Sequence, residues 1–454
     1  MEIRIPENVS KIIDTLNSRG FEAYAVGGCI RDSLMGIVPH DWDICTSALP
    51  DEVLDTLGRH NIIESGLKHG TVTVSVDGEL FEITTFRTDG KYLDNRHPEN
   101  VKFVRSLRED LQRRDFTMNS IACHHIKGII DEFGGCEDIE NGIIRCVGDP
   151  EKRFGEDALR ILRALRFASR LGFRIEENTG KAVHKLCGTL RNISAERIAS
   201  EFTQILMGKY VVDVLLEYSD VIDVIIPEIY DMIGCVQNNP HHIYDVWEHT
   251  VRVVGYVPQD RILRLAAFFH DIAKPFCRTT DERGIDHFHG HPLLSAKMTR
   301  AILNRLRFDK KTISQVCLLV EFHDYRPPTD AKPVRKLLSK MGAENYPELL
   351  ELKRADCRAQ NPELLEGKLV YIDTLEEICK KETEGGRKFR VSDLAVNGRD
   401  LMEIGISEGK KIGKTLEYLL SGMINEEIEN DFDSMIKAAR NFNNITDREE
   451  TNGV

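Results

Sequence analysis

Residues 22–48 read EAYAVGGCIRDSLMGIVPHDWDICTSA, and this stretch decides the fold of the first third of the chain. A short apolar run ends at Val26, two glycines follow, and a second apolar run begins at Trp42. The runs predict two buried strands, and Gly27 and Gly28 predict a tight turn that opens a helix. Glycines at such a turn let backbone N–H groups approach a phosphate at the helix N-terminus. An ordinary strand–turn–helix without a ligand is the alternative.

The rest of the chain changes character after this mixed region. A helix is predicted near 10–18, and further strands are predicted at 71–76, 80–86 and 101–103. From about Arg153 onward helical periodicity dominates. We therefore predict a multidomain α+β protein with a mixed α/β head followed by an all-α remainder. The expected divisions are a head at 1–148, a helical neck at 149–235, a histidine-rich body at 236–362 and a helical tail at 363–454.

Composition limits the class of protein. The chain has 454 residues, 41% of them hydrophobic, with a formal net charge of −13. This balance excludes a largely disordered or membrane-embedded chain and argues against coating nucleic acid by bulk charge. The basic residues are nevertheless concentrated at 151–175, which carries a net charge of +4 (seven Lys and Arg, three Asp and Glu). The 11 cysteines form no CxxC pair, and the N-terminus resembles no secretory signal. We expect a cytoplasmic protein.

Paired carboxylates predict a metal site in the head. Asp41 and Asp43 are two residues apart in a strand-like run, so their side chains share one face. Adjacent carboxylates repel unless a cation lies between them, and Mg²⁺ held in this way supports phosphoryl or nucleotidyl transfer. Glu82, on a strand expected nearby, is a candidate third carboxylate. A solvated sheet face is the alternative, and it stays open above all for Glu82.

A basic stripe follows the head. Asp157, Arg160, Arg163 and Arg166 are spaced by three in a helix predicted over 156–170, and should form a slowly drifting stripe. The alternative is a solvent-exposed helix face with an i,i+3 salt bridge and no role in binding.

Five motifs in order give a family resemblance. The chain resembles the class II CCA-adding enzymes (tRNA nucleotidyltransferases) and the related bacterial poly(A) polymerases over roughly residues 20–205. The motifs are GGCIRD (27–32), HDWDICTSA (40–48), FEITTFRTDGKYLDNRHPENVKF (81–103), EDLQRRDFTMNSIA (109–122) and RFGEDALRILRALRFASRLGF (153–173), with ISAERIASEF (193–202) resembling the next conserved helix. The resemblance implies that Gly28 and Arg31 bind the nucleoside triphosphate, Asp41 and Asp43 the metals, and Arg114 the incoming nucleotide.

The same resemblance gives Asp157 and Arg160 a templating role. A carboxylate accepts from an exocyclic amino group, while a guanidinium donates to the adjacent ring acceptor. Cytosine and adenine both present that pattern, whereas uracil and guanine reverse it. Arg163 and Arg166 would then face triphosphate or primer phosphates.

One loop distinguishes branches of the family. Residues 88–101, with Tyr92, Asp94 and Arg96, resemble the flexible loop of full CCA enzymes and A-adders, which CC-only members lack. Residues 66–78 lack the arginine-rich stretch typical of poly(A) polymerases. Both observations favour CCA addition, with CC-only, A-only and poly(A) addition as alternatives.

The body is rich in histidine. An ordered set reads His249, His270-Asp271, His291, His323 and Asp356, and it looks like the HD phosphohydrolase superfamily. The resemblance implies that His249, His270, Asp271 and Asp356 bind a divalent metal, with His291 and His323 as candidates for a second ion or a phosphate.

The predicted function is addition of CCA to the 3′ end of tRNA from CTP and ATP, with Mg²⁺ at the head. A second, metal-dependent phosphohydrolase activity is expected in the body, and no membrane partner. The alternative is an HD phosphodiesterase or phosphatase whose head docks RNA.

Overall fold

The computed structural model describes residues 3–58, 62–63, 70–89, 101–386 and 389–445. These residues form two compact units. The first comprises Met1–Tyr230 with Ile302–Phe308, and the second comprises Asp231–Ala301 with Asp309–Val454. The multidomain α+β prediction is confirmed, while the four-part division of the chain stays a prediction.

A seven-stranded sheet organises the head, in the order β3-β4-β5-β2-β1-β8-β9. All neighbours in it are antiparallel except β2 and β5. The apolar run predicted from 22–26 is the buried interior strand β1, which lies between β2 and β8. The strands are β1 Ala23–Val26, β2 Asp43–Thr46, β3 Ile62–Ile63, β4 Thr71–Val76, β5 Glu79–Thr85, β6 Arg87–Asp89, β7 Val101–Phe103, β8 Ile121–His124 and β9 Gly128–Asp131, with β6 and β7 forming a separate hairpin.

Helices cover the sheet of the head. The first has apolar residues at i, i+3, i+4 and i+7, and this stripe (Val9, Ile12, Ile13 and Leu16) is buried. The head helices are α1 Glu7–Ser18, α2 Gly28–Leu34, α3 Pro50–Leu57, α4 Leu107–Gln112 and α5 Gly135–Glu140. The helix predicted after the glycine turn is α2, which begins at Gly28.

The remainder of the first unit is helical apart from one short pair of parallel strands. Its helices α7 and α9 pack against each other, and the chain just after α9 passes so close to α7 that a Cβ on Gly208 would clash with Ser169. The elements are β10 Ile143–Ile144, α6 Pro150–Glu156, α7 Leu159–Leu171, β11 Arg174–Ile175, α8 Glu177–Leu186, α9 Ala195–Leu206, α10 Val211–Glu217 and α11 Ser219–Ile225.

The second unit is built around α13 (Arg261–Phe269), whose residues from Leu263 onward are all buried. Helices α12, α16 and α18 pack against it. The other elements are α12 Val246–Tyr256, α14 Lys274–Cys277, β12 Thr279–Thr280, β13 Asp286–His287, α15 His291–Arg305, α16 Lys310–Phe322, α17 Ala331–Met341, α18 Tyr346–Arg358, α19 Leu365–Glu382, α20 Gly398–Glu403, α21 Gly409–Ile424 and α22 Phe432–Phe442. Among the described residues, no helix has the length and apolar character to cross a membrane.

Candidate active site and metal centre

Three carboxylates of the head meet at the start of β2. Asp43 is the first residue of that strand, and the parallel pairing places it opposite Glu82 of β5. Asp41 lies two residues earlier, and all three side chains belong to exposed residues. Although the residue is exposed, the protein atoms around its carboxyl partly desolvate it, and this desolvation, together with the charges of Glu82 and Asp41, raises the pKa of Asp43, while Arg114 opposes the increase. The carboxylates that the sequence placed together therefore do lie together.

Arginines and glycines flank these acids. Gly27 has φ of 86°, and a Cβ there would lie 2.9 Å from Nη1 of Arg114. Glycine is favoured at this position, because φ is positive and a Cβ would displace the Arg114 guanidinium. Arg31, on the helix that Gly28 opens, donates to Asn119 Oδ1 at 2.7 Å and to Asp32 Oδ1 at 2.8 Å. The predicted nucleotide-binding residues Gly28, Arg31 and Arg114 thus cluster around the glycine turn.

Three guanidinium groups surround the ring of Phe167. Their Cζ atoms lie 5.1, 5.6 and 4.6 Å from the ring centroid for Arg31, Arg163 and Arg166 respectively. Phe167 is nearly buried, so the ring holds the three cations as a group. The structure therefore brings Arg163 and Arg166 next to Arg31.

Two of these arginines are held by buried acids that were not among the candidate site residues. Arg163 contacts Asp115 Oδ2 at 2.6 Å, and Arg166 contacts Glu201 Oε1 at 3.1 Å. Burial would raise the pKa of Asp115, but Arg163 and Asn119 hold it well below its usual value. Burial raises the pKa of Glu201. Asp115 lies in the motif at 109–122 and Glu201 in the motif at 193–202. Their places in these motifs were the sequence signal that could have identified them.

The stripe prediction was wrong for Asp157 and Arg160. The helix does not run from 156 to 170, because α6 ends at Glu156 and α7 begins at Leu159. Asp157 lies between them in extended conformation, accepts from the N–H of Leu159 and pairs with Arg197 at 2.9 Å.

Arg160 is buried, and its partners are other groups than that carboxylate. Its guanidinium donates to Glu156 Oε2 at 2.9 Å, to the carbonyl of Arg113 at 2.8 Å and to the carbonyl of Arg153 at 3.1 Å. The templating role of the two residues stays a prediction. The loop residues Tyr92, Asp94 and Arg96 lie outside the described part of the chain.

The second unit contains a buried cluster of the predicted HD residues. His249 and His270 bring their Nε2 atoms to 3.3 Å of each other, and His291 and His323 bring theirs to 3.2 Å. Asp271 joins the two pairs, with Oδ2 3.0 Å from His270 Nε2 and Oδ1 3.2 Å from His291 Nε2. The four histidines and Asp271 therefore form one cluster.

Asp356 completes it. Its Oδ1 lies 3.1 Å from His249 Nε2 and accepts from Gln360 at 2.7 Å.

The backbone orients all four imidazoles in the same way. Each Nδ1 lies within hydrogen-bonding distance of a carbonyl oxygen, which fixes the tautomer with the proton on Nδ1 and the Nε2 lone pair pointing into the cluster. The partners are Ala359 for His249 (3.2 Å), Ala267 for His270, Phe288 for His291 and Val320 for His323 (2.7 Å each). Four lone pairs converging beside carboxylates are a donor set for a divalent cation.

Asp271 lies at the centre of this donor set. Both Oδ atoms are buried and lack a well-directed hydrogen bond among the described residues. Burial would raise the pKa of Asp271, but His270 and Lys274 hold it well below its usual value. Lys274, which sequence reasoning missed, lies 2.7 Å from Oδ2 and three residues after the His-Asp pair. Within the described residues, two groups could each hold an ion, His249-His270-Asp271 and Asp271-His291-His323.

Comparison with known proteins identifies the family. Residues 23–145 match the Poly A polymerase head domain, residues 172–232 a probable RNA- and SrmB-binding site of polymerase A, and residues 292–439 a putative tRNA nucleotidyltransferase domain 2. The CCA-adding enzyme of Geobacillus kaustophilus is 34% identical over 426 residues, which is 94% of each protein. This chain belongs to the CCA-adding enzyme family.

Other members of the CCA-adding enzyme family add detail. The crystal structure of the Bacillus stearothermophilus enzyme in complex with CTP matches with a TM-score of 0.70 at 30% identity, covering 96% of this chain and 98% of that one. Higher identity is confined to a part of the chain. The Leuconostoc mesenteroides enzyme is 51% identical over 197 residues, or 43% of this chain, and the chain spans about half (49%) of that relative's length.

Proposed function

We propose that the chain adds the CCA end to tRNA, transferring CMP and AMP from CTP and ATP to the 3′ end and releasing pyrophosphate. The observation that carries this is the meeting of Asp41, Asp43 and Glu82 at one end of β2, beside Arg114. Membership of the CCA-adding enzyme family supports it. Alternative products of the same site are CC alone, A alone or poly(A).

The acids of the head fit a divalent cation. The pKa of Asp43 is raised by partial desolvation of its carboxyl and by two neighbouring carboxylates, and this repulsion is relieved when a cation lies between them. Asp41 and Asp43 would hold Mg²⁺, which when bound polarises a 3′-hydroxyl and neutralises a leaving pyrophosphate. Glu82 adds negative charge on the adjoining strand.

The arginines bind phosphate in this proposal. Arg31, Arg163 and Arg166 present three positive charges around Phe167. Two of them are already oriented by Asp115 and Glu201, so little side-chain entropy is lost when phosphate binds.

In this proposal, Asp157 and Arg160 select the base of the incoming nucleotide. Each now has a protein partner, Arg197 and Glu156 respectively, so both side chains must exchange that partner for the base edge. Uracil or guanine would leave the carboxylate facing an oxygen, which costs about 1–3 kcal/mol.

The test of nucleotidyl transfer is a pair of isosteric variants. Asp43→Asn is expected to reduce CMP incorporation at least about 100-fold, because it removes the charge that binds the cation. Asp77→Asn is the matched control, since Asp77 is an exposed acid in the turn between β4 and β5 of the same sheet. Equal activity in the two variants would refute the assignment.

We propose a metal-dependent phosphohydrolase activity for the second unit. The convergence of four Nε2 atoms around Asp271 carries this proposal. His249, His270, Asp271 and Asp356 would hold one divalent cation, with His291 and His323 near a second ion or the substrate phosphate. A bound cation of this kind supplies an activated water and withdraws charge from a phosphoryl group.

Metal retention tests the metal site on which this second activity depends. The purified chain, incubated with Mn²⁺ and desalted, should retain metal, and His270→Ala should lower that retention. His184→Gln is the control because His184 is an exposed histidine of α8 paired with Asp220. Retention that is the same in all three proteins would contradict the proposal.

A further inference from the structure

The histidine cluster lies between two cavities of different character. One, of about 460 Å³, is lined by polar groups that include Asp271, Lys274 and His291. The other, of about 510 Å³, has a mainly apolar wall surface to which Pro327, Leu364 and Ile372 contribute, although charged side chains and histidines also line it. His323 and Asp356 line both cavities, so the apolar cavity opens directly beside the candidate metal ligands.

We propose that the 510 Å³ cavity is a specificity pocket for the organic group of a phosphoester, and that this group is flat and apolar, such as an aromatic ring system. The inference rests on the proposed hydrolytic function of the second unit. The phosphate would lie at the polar cavity beside Asp271, and the organic group would extend past His323 and Asp356 into the apolar cavity. A cavity of roughly 300–1,000 Å³ with apolar walls and a few polar groups is typical of small-molecule sites.

The walls of the pocket are built to keep their shape. The hydroxyl of Tyr371 donates to the carbonyl of Pro327 at 2.6 Å, which ties α19 to the segment that follows α16. Lys353 is buried and donates to the carbonyl of Tyr325 at 2.7 Å and to that of His323. The Lys353 ammonium therefore fixes the backbone of the pocket wall at His323, which is a candidate metal ligand.

Basic side chains outnumber carboxylates at the pocket by three (Arg326, Lys353 and Lys368) to two (Asp324 and Asp356). Arg326 lines both cavities, and Lys368 lines the apolar one. Lys368 donates to Gln360, which in turn donates to Asp356. A ligand that occupies the pocket thus lies beside a polar chain that reaches the candidate metal site. A purely hydrophobic ligand would make no use of these cations, whereas a phosphoester satisfies both features.

A substitution at Gly367 can test this pocket. It lies in the first turn of α19, lines the cavity, and a Cβ there would meet no atom within 4 Å. A leucine at this position has room for its Cβ and is expected to narrow the cavity. Gly413 on α21 is also an exposed helical glycine with open space at Cβ, but it does not line the cavity. Gly413→Leu is the matched control.

The experiment compares 1-naphthyl phosphate with the smaller acetyl phosphate in the Mn²⁺-loaded full chain. In each reaction a water oxygen bonds to phosphorus, the bond from phosphorus to the naphthyl or acetyl oxygen breaks, and naphthol or acetate leaves as inorganic phosphate forms. Gly367→Leu should lower kcat/KM for 1-naphthyl phosphate about tenfold or more and change that for acetyl phosphate less than about twofold. Gly413→Leu should change neither. An equal loss on both substrates, or no loss on the larger one, would overturn the pocket assignment.

A binding measurement separates this inference from the proposed hydrolysis. 1-Naphthylphosphonate cannot be hydrolysed at an ester bond, and its binding is followed by naphthyl fluorescence. If the wild-type chain hydrolyses neither phosphate, the hydrolytic proposal fails, yet the pocket assignment still requires that Gly367→Leu weaken phosphonate binding about tenfold and that Gly413→Leu leave it unchanged. No binding by the wild-type chain would overturn the pocket itself.

Discussion

Asp43 and Glu82 lie directly opposite each other on the two parallel strands of an otherwise antiparallel sheet. Their separation of 39 positions in the sequence is removed by the pairing of β2 with β5, which brings a third carboxylate to the Asp41–Asp43 pair. The charge on Glu82 acts on Asp43 through this register, so it should influence how strongly the pair holds a cation.

Glu82→Gln should lower CMP incorporation about 10–100-fold, as the loss of a group next to metal ligands does elsewhere. Raising the Mg²⁺ concentration should restore part of the activity, because the variant weakens ion binding. Glu79→Gln, at the exposed start of the same strand, should leave incorporation unchanged. A Glu82 variant with full activity at low Mg²⁺ would remove Glu82 from the site.

Asp157→Asn should relax nucleotide choice. Asparagine still accepts from the N–H of Leu159 and so preserves the cap of α7, but its amide presents both a donor and an acceptor to the base. The preference for CTP and ATP over UTP should fall about tenfold. Arg197→Gln breaks the Asp157 ion pair and leaves the carboxylate, so it should retain the preference. Primer-extension assays with each single nucleotide measure it, and unaltered selectivity in Asp157→Asn would contradict the templating role.

Gly27→Ala should affect both stability and activity. An alanine with positive φ lowers the free energy of unfolding by about 1–2 kcal/mol, and here the new Cβ also meets the Arg114 guanidinium. Gly20→Ala is a matched control, because Gly20 has φ of 88° but no atom within 4 Å of its Cβ position. Both variants should lose stability in urea unfolding, whereas only Gly27→Ala should raise KM for CTP. A normal KM in that variant would dissociate Arg114 from nucleotide binding.

Asp115 predicts a pH dependence of stability. Its folded pKa lies well below the unfolded value near 3.8, chiefly because Arg163 outweighs the effect of burial. The stabilisation is therefore complete above about pH 4 and is lost as the pH falls towards the folded pKa. Asp115→Asn should destabilise the first unit by about 3 kcal/mol at pH 7, and the difference from wild type should shrink below pH 4. Urea unfolding at several pH values measures this, and a difference that does not change with pH would exclude the Arg163 ion pair as its source.

Local periodicity was sufficient for the parts of the site that lie on strands. Asp43 is the first residue of β2 and Asp41 lies two residues before it, so the close spacing brought both to the same end of the strand, and the strand that carries Glu82 was recognisable from its apolar run. The histidine order was also recognisable, although His249 and Asp356 are 107 positions apart. The inward aim of the imidazoles was not, since it depends on backbone carbonyls such as Ala359 that no side-chain pattern reveals.

The helical half was harder to predict for a physical reason. Helix spacing alone placed Asp157 and Arg160 on one stripe, but Asp157 caps α7 and Arg160 satisfies two backbone carbonyls. A local bond from the N–H of Leu159 to Asp157, and the bond from Arg160 to the distant carbonyl of Arg113, therefore overrode the i,i+3 spacing. The partner of Arg163 lies 48 positions earlier in the chain, beyond the reach of any local rule.

The most direct measurement incubates the full chain and Mg²⁺ with a tRNA that lacks its three terminal nucleotides, using labelled CTP and ATP separately and together. With CTP alone the product should grow by two residues, and with both nucleotides by three, ending in A. No extension under any of these conditions, or a long ladder of A residues, would contradict CCA addition by this chain.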